Sequence, residues 1–236
     1  MALRVLVGAL LIFGMCPAFG AEFTIANTGV PGTEGVDMDS NWVLIGCPAG
    51  SVCSTASVGT SYSPYITEDD AYPFINLSPP HWMPNSGTSQ WISPKQTYSV
   101  NSVGSPMGDY TYRITFDLTG FIPGTAVLSF QFSADDNVSD VLLNGVSTGV
   151  NAAGFTSWHG TFDLTSGFVA GLNTLDFIVH NNAPGGALTP TGLRVEFLSH
   201  TADVQPSSEI PEPATLSLLG LGLLGLGVYA RRRRLT

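Results

Sequence analysis

The chain has 236 residues and a formal net charge of −10, with only 11% charged residues, 27 glycines and 16 prolines. Between residues 21 and 206 the imbalance is steeper: 16 acidic side chains stand against Lys95, Arg113 and Arg194 alone, a net charge of −13. That excludes the basic surface needed to bind nucleic acid or anionic lipid, and the turn-rich, charge-poor composition fits one exported all-β domain.

The N-terminus reads as a signal peptide over residues 1–20: Arg4, the apolar run Val5–Phe13, and Ala18-Phe19-Gly20 with small residues at the −3 and −1 positions. Cys16 raises a lipoprotein alternative, but Met15 stands where a lipobox needs a small residue. Residues 21–200 are expected to form the ectodomain. Its first strand signals are Glu22–Ala26 and the apolar Trp42–Ile45. Cys47 and Cys53 follow, and in an oxidising compartment they are expected to form one local disulfide. Residues 48–109 are proline-rich and irregular, and read as loops at one end of the fold.

Regular alternation returns at Tyr110–Leu118, where Tyr110, Tyr112, Ile114, Phe116 and Leu118 share one face. Strands are predicted next over Ala126–Phe132 and Val138–Leu143, then a hairpin turn at Asn144-Gly145 and a return over Val146–Val150. Phe155–Leu164, Leu172–Val179 and Leu193–Leu198 complete the strand set, and residues 201–209 read as a linker. Many short strands at this spacing predict an antiparallel β-sandwich or jelly roll. From Tyr110 to Phe197 the ladder of Phe116-Asp117-Leu118, Ser133-Ala134-Asp135-Asp136, Val141–Gly145, Phe162-Asp163-Leu164 and Ala170–Phe177 resembles the galactose-binding-like jelly rolls. That superfamily includes many carbohydrate-binding modules, so the resemblance implies an accessory rather than a catalytic domain.

The tail is distinctive. Ile210-Pro211-Glu212-Pro213 precedes the apolar run Ala214–Ala230 and then Arg231, Arg232, Arg233 and Arg234. As a helix the run covers roughly 25 Å against about 30 Å of bilayer hydrocarbon, a short transmembrane segment. The arginine block acts as a membrane stop and favours the cytoplasmic side, which leaves the domain outside. Gly220, Gly222, Gly225 and Gly227 include no pair four apart, so a small-xxx-small dimerisation face is absent. Residues 210–234 resemble the PEP-CTERM sorting signal of exopolysaccharide-producing Gram-negative bacteria. The resemblance implies an exosortase as membrane partner, removal of the tail after transient anchoring in the inner membrane, and delivery to the cell surface or extracellular matrix. An uncut single-pass anchor is the alternative.

Four tryptophans offer faces on which a pyranose can stack. Trp82 with His81, and Trp158 with His159, are the candidates for sugar binding, whereas Trp42 and Trp91 read as core. Asp37 and Asp39 have the opening spacing of an EF-hand loop, but Trp42 and Pro48 stand where that loop needs Gly and Glu. With Asp135 and Asp136 they are the candidate ligands for a structural calcium, which the jelly-roll resemblance makes an optional rather than a required cofactor. His81, His159, His180 and His200 are dispersed, and no nucleophile elbow occurs. The expected function is a non-enzymatic exported surface or matrix protein associated with exopolysaccharide. A secreted glycoside hydrolase, whose two acids can lie far apart in sequence, is the alternative, and a ligand-free structural surface protein is a third reading.

Overall fold

A computed structural model describes residues 20–57, 59–68, 82–96, 104–182 and 188–206, with residues 221, 223 and 231. The chain divides into two compact units, Met1–Val204 and Gln205–Thr236. In the second unit Leu221, Leu223 and Arg231 are helical and exposed. The rest of the expected span 214–230, the motif Pro211-Glu212-Pro213, Arg232 to Arg234, and residues 1–19 of the expected signal peptide lie outside the described residues. Among the described residues no helix is long and apolar enough to cross a membrane.

The first unit is all-β. Its described strands are β1 (Gly20–Glu22), β2 (Trp42–Gly46), β3 (Tyr65–Ile66), β4 (Ile92–Ser93), β5 (Gly108–Asp117), β6 (Val127–Leu143), β7 (Val146–Ser147), β8 (Ala152–Leu164), β9 (Leu172–Asn181) and β10 (Gly192–Asp203). They form one antiparallel sheet in the order β2-β5-β9-β6-β10-β4-β3, with β1 on β10 and with β7 and β8 on β6.

The sheet curls about β6. The first half of β6 pairs with β10, from Val127↔Thr201 to Asp135↔Gly192. Its second half pairs with β9, from Asn137↔His180 to Leu143↔Leu175. The change of partner falls at Asp135–Asn137, where the register with β8 also shifts. Two expected strands are therefore one 17-residue strand, and the polar Ser133–Asn137, which reads as a loop, is its bend. β10 likewise runs through Thr201–Asp203, residues expected to be linker, because they pair with β1. β1 itself ends at Glu22 rather than Ala26, and the expected return over Val146–Val150 is only the two residues of β7.

Curling brings the two halves of the sheet face to face, an arrangement consistent with a β-sandwich. Phe130 and Phe132 of β6 meet Phe177 of β9 edge-on, with ring centroids 5.6 and 5.7 Å apart. Trp42 of β2 lies against Phe177 at 5.7 Å and Phe197 of β10 at 6.3 Å. Each fully buried aromatic contributes on the order of 1.5–3 kcal/mol, and each such ring pair about 0.5–1.5 kcal/mol more. Period-2 alternation supplies these rings: Tyr110, Tyr112, Ile114 and Phe116 of β5 all face the core, as expected. The opposite face of β5 carries Arg113, whose guanidinium forks onto Asp176 of β9 with two bonds of 2.6 Å. This pairing, with the carboxylate foremost, holds the guanidinium pKa above its ordinary value despite partial burial.

Asn144 and Gly145 have φ of 52° and 78°, the left-handed pair that a two-residue hairpin turn requires. Cys47 and Cys53 form the expected disulfide.

Candidate functional site

In β10, Leu193, Val195 and Phe197 face the core, so Gly192, Arg194 and Glu196 face the other side of the sheet. The same alternation in β6 sends Phe130, Phe132 and Ala134 inward and Ser133 and Asp135 outward. On this outer face a second, smaller apolar cluster forms from Trp82 and Trp91, with Met83 and Phe155 packed against it. The segment 82–91 lies over β10 and is bonded to β8 by Met83 N–H to the Phe155 carbonyl at 2.8 Å. Gly192 is required by the close approach, since a Cβ there would stand 2.7 Å from the Trp82 ring.

Three polar anchors hold this layer. The Trp82 indole donates to the Asp135 carboxylate at 2.8 Å. The Trp91 indole donates to the Met83 carbonyl at 2.7 Å. Arg194, 3% exposed, donates to Ser89 Oγ at 2.9 Å, Ser86 Oγ at 2.8 Å and the Pro84 carbonyl. Its guanidinium carbon lies 4.7 Å from the ring centre of Trp158, a cation–π contact that fixes one face of that indole. Burial pushes the Asp135 carboxyl well above the usual carboxylate range; the neighbouring Asp136 charge pushes the same way, and the Trp82 indole opposes both.

The sequence-derived candidates separate on this scaffold. Trp82 is 1% exposed and packed against Trp91 with ring centroids 4.5 Å apart, so it is buried in the layer and presents no ring face for a sugar. Trp158 is half-buried on the outer face of β8, between the exposed Ser157 and the half-buried His159. His159 turns the other way: its Nε2 bonds the Gly154 carbonyl at 3.1 Å, and its ring lies 6.5 Å from the core residue Phe132. Adjacent strand residues point to opposite faces, so Trp158 and His159 do not form one platform. His81 lies outside the described residues.

The acidic candidates are engaged in loop structure. Asp39 accepts from the main-chain N–H of Gly29 at 2.6 Å, Asn41 at 2.8 Å and Trp42 at 3.0 Å. Burial nevertheless outweighs these bonds and raises its pKa. Asp37 accepts from Thr33 N–H at 2.9 Å, and Asp136 from Asn182 N–H at 2.6 Å. Among the described residues no group of three or more His, Cys, Asp or Glu is arranged to hold a metal ion. Both Asp39 oxygens are engaged by main-chain N–H groups.

Sequence reasoning passed over Arg194. Its signal was there: an arginine on the outward phase of an apolar strand, in a region with two other basic residues.

The C-terminal region decides what the chain is addressed to do. Residues 209–234 match the family of the PEP-CTERM protein-sorting motif. The chain carries this sorting motif. The motif implies an exported protein processed by an exosortase. Among solved structures, the chain is similar to a family 35 carbohydrate binding module from an environmental isolate, at 14% identity over 45% of this chain and 78% of that one. The TM-score is 0.23, and a likeness at that level carries no argument. No curated protein matches the chain.

Proposed function

We propose that the protein is a non-enzymatic component of the cell surface or extracellular matrix. It is anchored in the inner membrane by residues 214–230 until an exosortase cuts the tail, and it associates with exopolysaccharide through its β domain. The observation that carries this reading is the sorting motif at residues 209–234. Glycan association is supported by Trp158, whose indole is held on one face by Arg194, with the exposed Thr156 two residues away in the same strand. An indole fixed in this way loses little freedom on stacking against the apolar face of a sugar ring.

The test of sorting is replacement of Glu212 by Ala in the native host, followed by fractionation. The variant is expected to accumulate in the inner membrane while the wild type reaches the surface or medium. Equal release of both would contradict exosortase recognition. For glycan association, Trp158→Ala is expected to weaken retention on the host's own polysaccharide while the domain stays folded. Unchanged retention would remove Trp158 from the reading.

A further inference from the structure

A cleft of about 320 Å³ opens between the β6–β7 hairpin and the segment that follows β8. Its volume is at the small end of the range for small-molecule sites. Leu143 and Leu164, both buried, form its apolar base, and Val146, 69% exposed, forms part of its rim. Asp163, Thr165 and Ser166 supply the polar wall. One Asp163 oxygen accepts from Ser129 at 2.5 Å, which fixes the carboxylate and leaves its second oxygen without a partner among the described residues. The hydroxyls of Thr165 and Ser166 are exposed and have no partner among the described residues.

The two walls are fixed to each other before any ligand arrives. Asn144, in the hairpin turn, donates to the Gly167 carbonyl at 3.0 Å and to Asn173 Oδ1 at 2.9 Å, and accepts from Thr174 N–H at 2.9 Å. Asn173, 0% exposed, donates in turn to the Val169 and Gly171 carbonyls at 2.8 Å each. Gly167 has φ of +88° and lies so close to Leu143 that a Cβ would stand 3.1 Å from its methyl. A preformed cleft avoids the ordering cost that weakens flexible sites.

We propose that this cleft binds one neutral sugar residue of a polysaccharide. The inference rests on the glycan-associating reading and names both a second site and its selectivity. Asp163 accepts from sugar hydroxyls, Thr165 and Ser166 both donate and accept, and the Leu143, Leu164 and Val146 side chains meet a C–H face. Selection against acidic sugars follows from charge. The lining contains no Lys, Arg or His. The three bases of residues 21–206 are committed elsewhere: Arg113 to Asp176, Arg194 to the 84–89 loop and Trp158, and Lys95 to the Gly104 carbonyl at 2.8 Å. A uronate would therefore face the Asp163 carboxylate with no counter-charge, which is how a site rejects a wrong partner.

The test is calorimetric titration of the full chain in detergent with neutral oligomers of glucose, galactose and mannose, and with an oligouronate. Wild type, Asp163→Asn, Ser166→Trp and Trp158→Ala are compared. Asp163→Asn keeps an acceptor for Ser129, and Ser166→Trp fills the cleft from an exposed position, so neither disturbs the core. A neutral oligomer is expected to bind and the uronate not to, with Asp163→Asn and Ser166→Trp each weakening binding about tenfold or more. Tighter binding of the uronate, or wild-type affinity in both cleft variants, overturns the assignment. Loss of binding in Trp158→Ala alone would leave the glycan reading standing and sink the cleft. Failure of every sugar to bind wild type would sink both.

Discussion

Asp135 shows how one side chain ties the outer layer to the sheet. It is 3% exposed, and its carboxyl pKa is pushed up by burial first and by Asp136 second. The folded state therefore holds its proton more tightly than the unfolded chain, in which an Asp titrates near about 3.9. Its contribution to stability is fully present below that pH and is lost as pH rises through the elevated folded-state value. Asp39, raised by burial, acts in the same direction. Denaturant midpoints measured from pH 4 upward are expected to fall with pH in the wild type and to fall less in Asp135→Asn. A pH profile identical in the two proteins would refute the role given to Asp135. Trp82→Phe keeps the ring contact with Trp91 but removes the indole donor to Asp135. At neutral pH it is expected to cost about 1–3 kcal/mol in urea denaturation; a neutral outcome would show that the indole bond is dispensable.

Among the elements, the loop stapled by Asn144 and Asn173 and the disulfide loop make separate contributions. Asn173→Ala removes the partner of the Val169 N–H and of the Asn144 amide in a part-buried loop, and is expected to cost about 1 kcal/mol by thermal or urea unfolding. Replacing Cys47 and Cys53 together by Ser opens a loop with a sequence separation of 6, for which loop-closure entropy predicts a loss of about 2 kcal/mol. These elements also show what a single sequence discloses. β5 was legible because Tyr110 to Phe116 alternate without interruption, and the β6–β7 turn because Asn144-Gly145 tolerates positive φ. The continuity of β6 was not legible. Its polar bend is satisfied by Trp82 and by Asn182, partners 53 and 46 residues away, and no local signal carries such contacts. At the site, the opposite aim of Trp158 and His159 follows from strand period alone. The burial of Trp82 does not, since it depends on Gly192 and on a segment folded over β10.

For the whole molecule, the entry and exit of the domain matter most. Gly20 pairs with Asp203, so the chain enters β1 and leaves β10 side by side. Gly20 is the last residue expected in the signal peptide, and removal of residues 1–20 leaves Ala21 opposite Ala202 as the first residue of β1. On the proposed function, an acidic β domain is exported and released by processing at both ends. Mass spectrometry of the protein recovered from the surface or medium of the native host tests it most directly. The expected result is an N-terminus at Ala21 and no peptide from residues 221–234. Recovery of a mature protein that still carries Arg231 to Arg234 would contradict it.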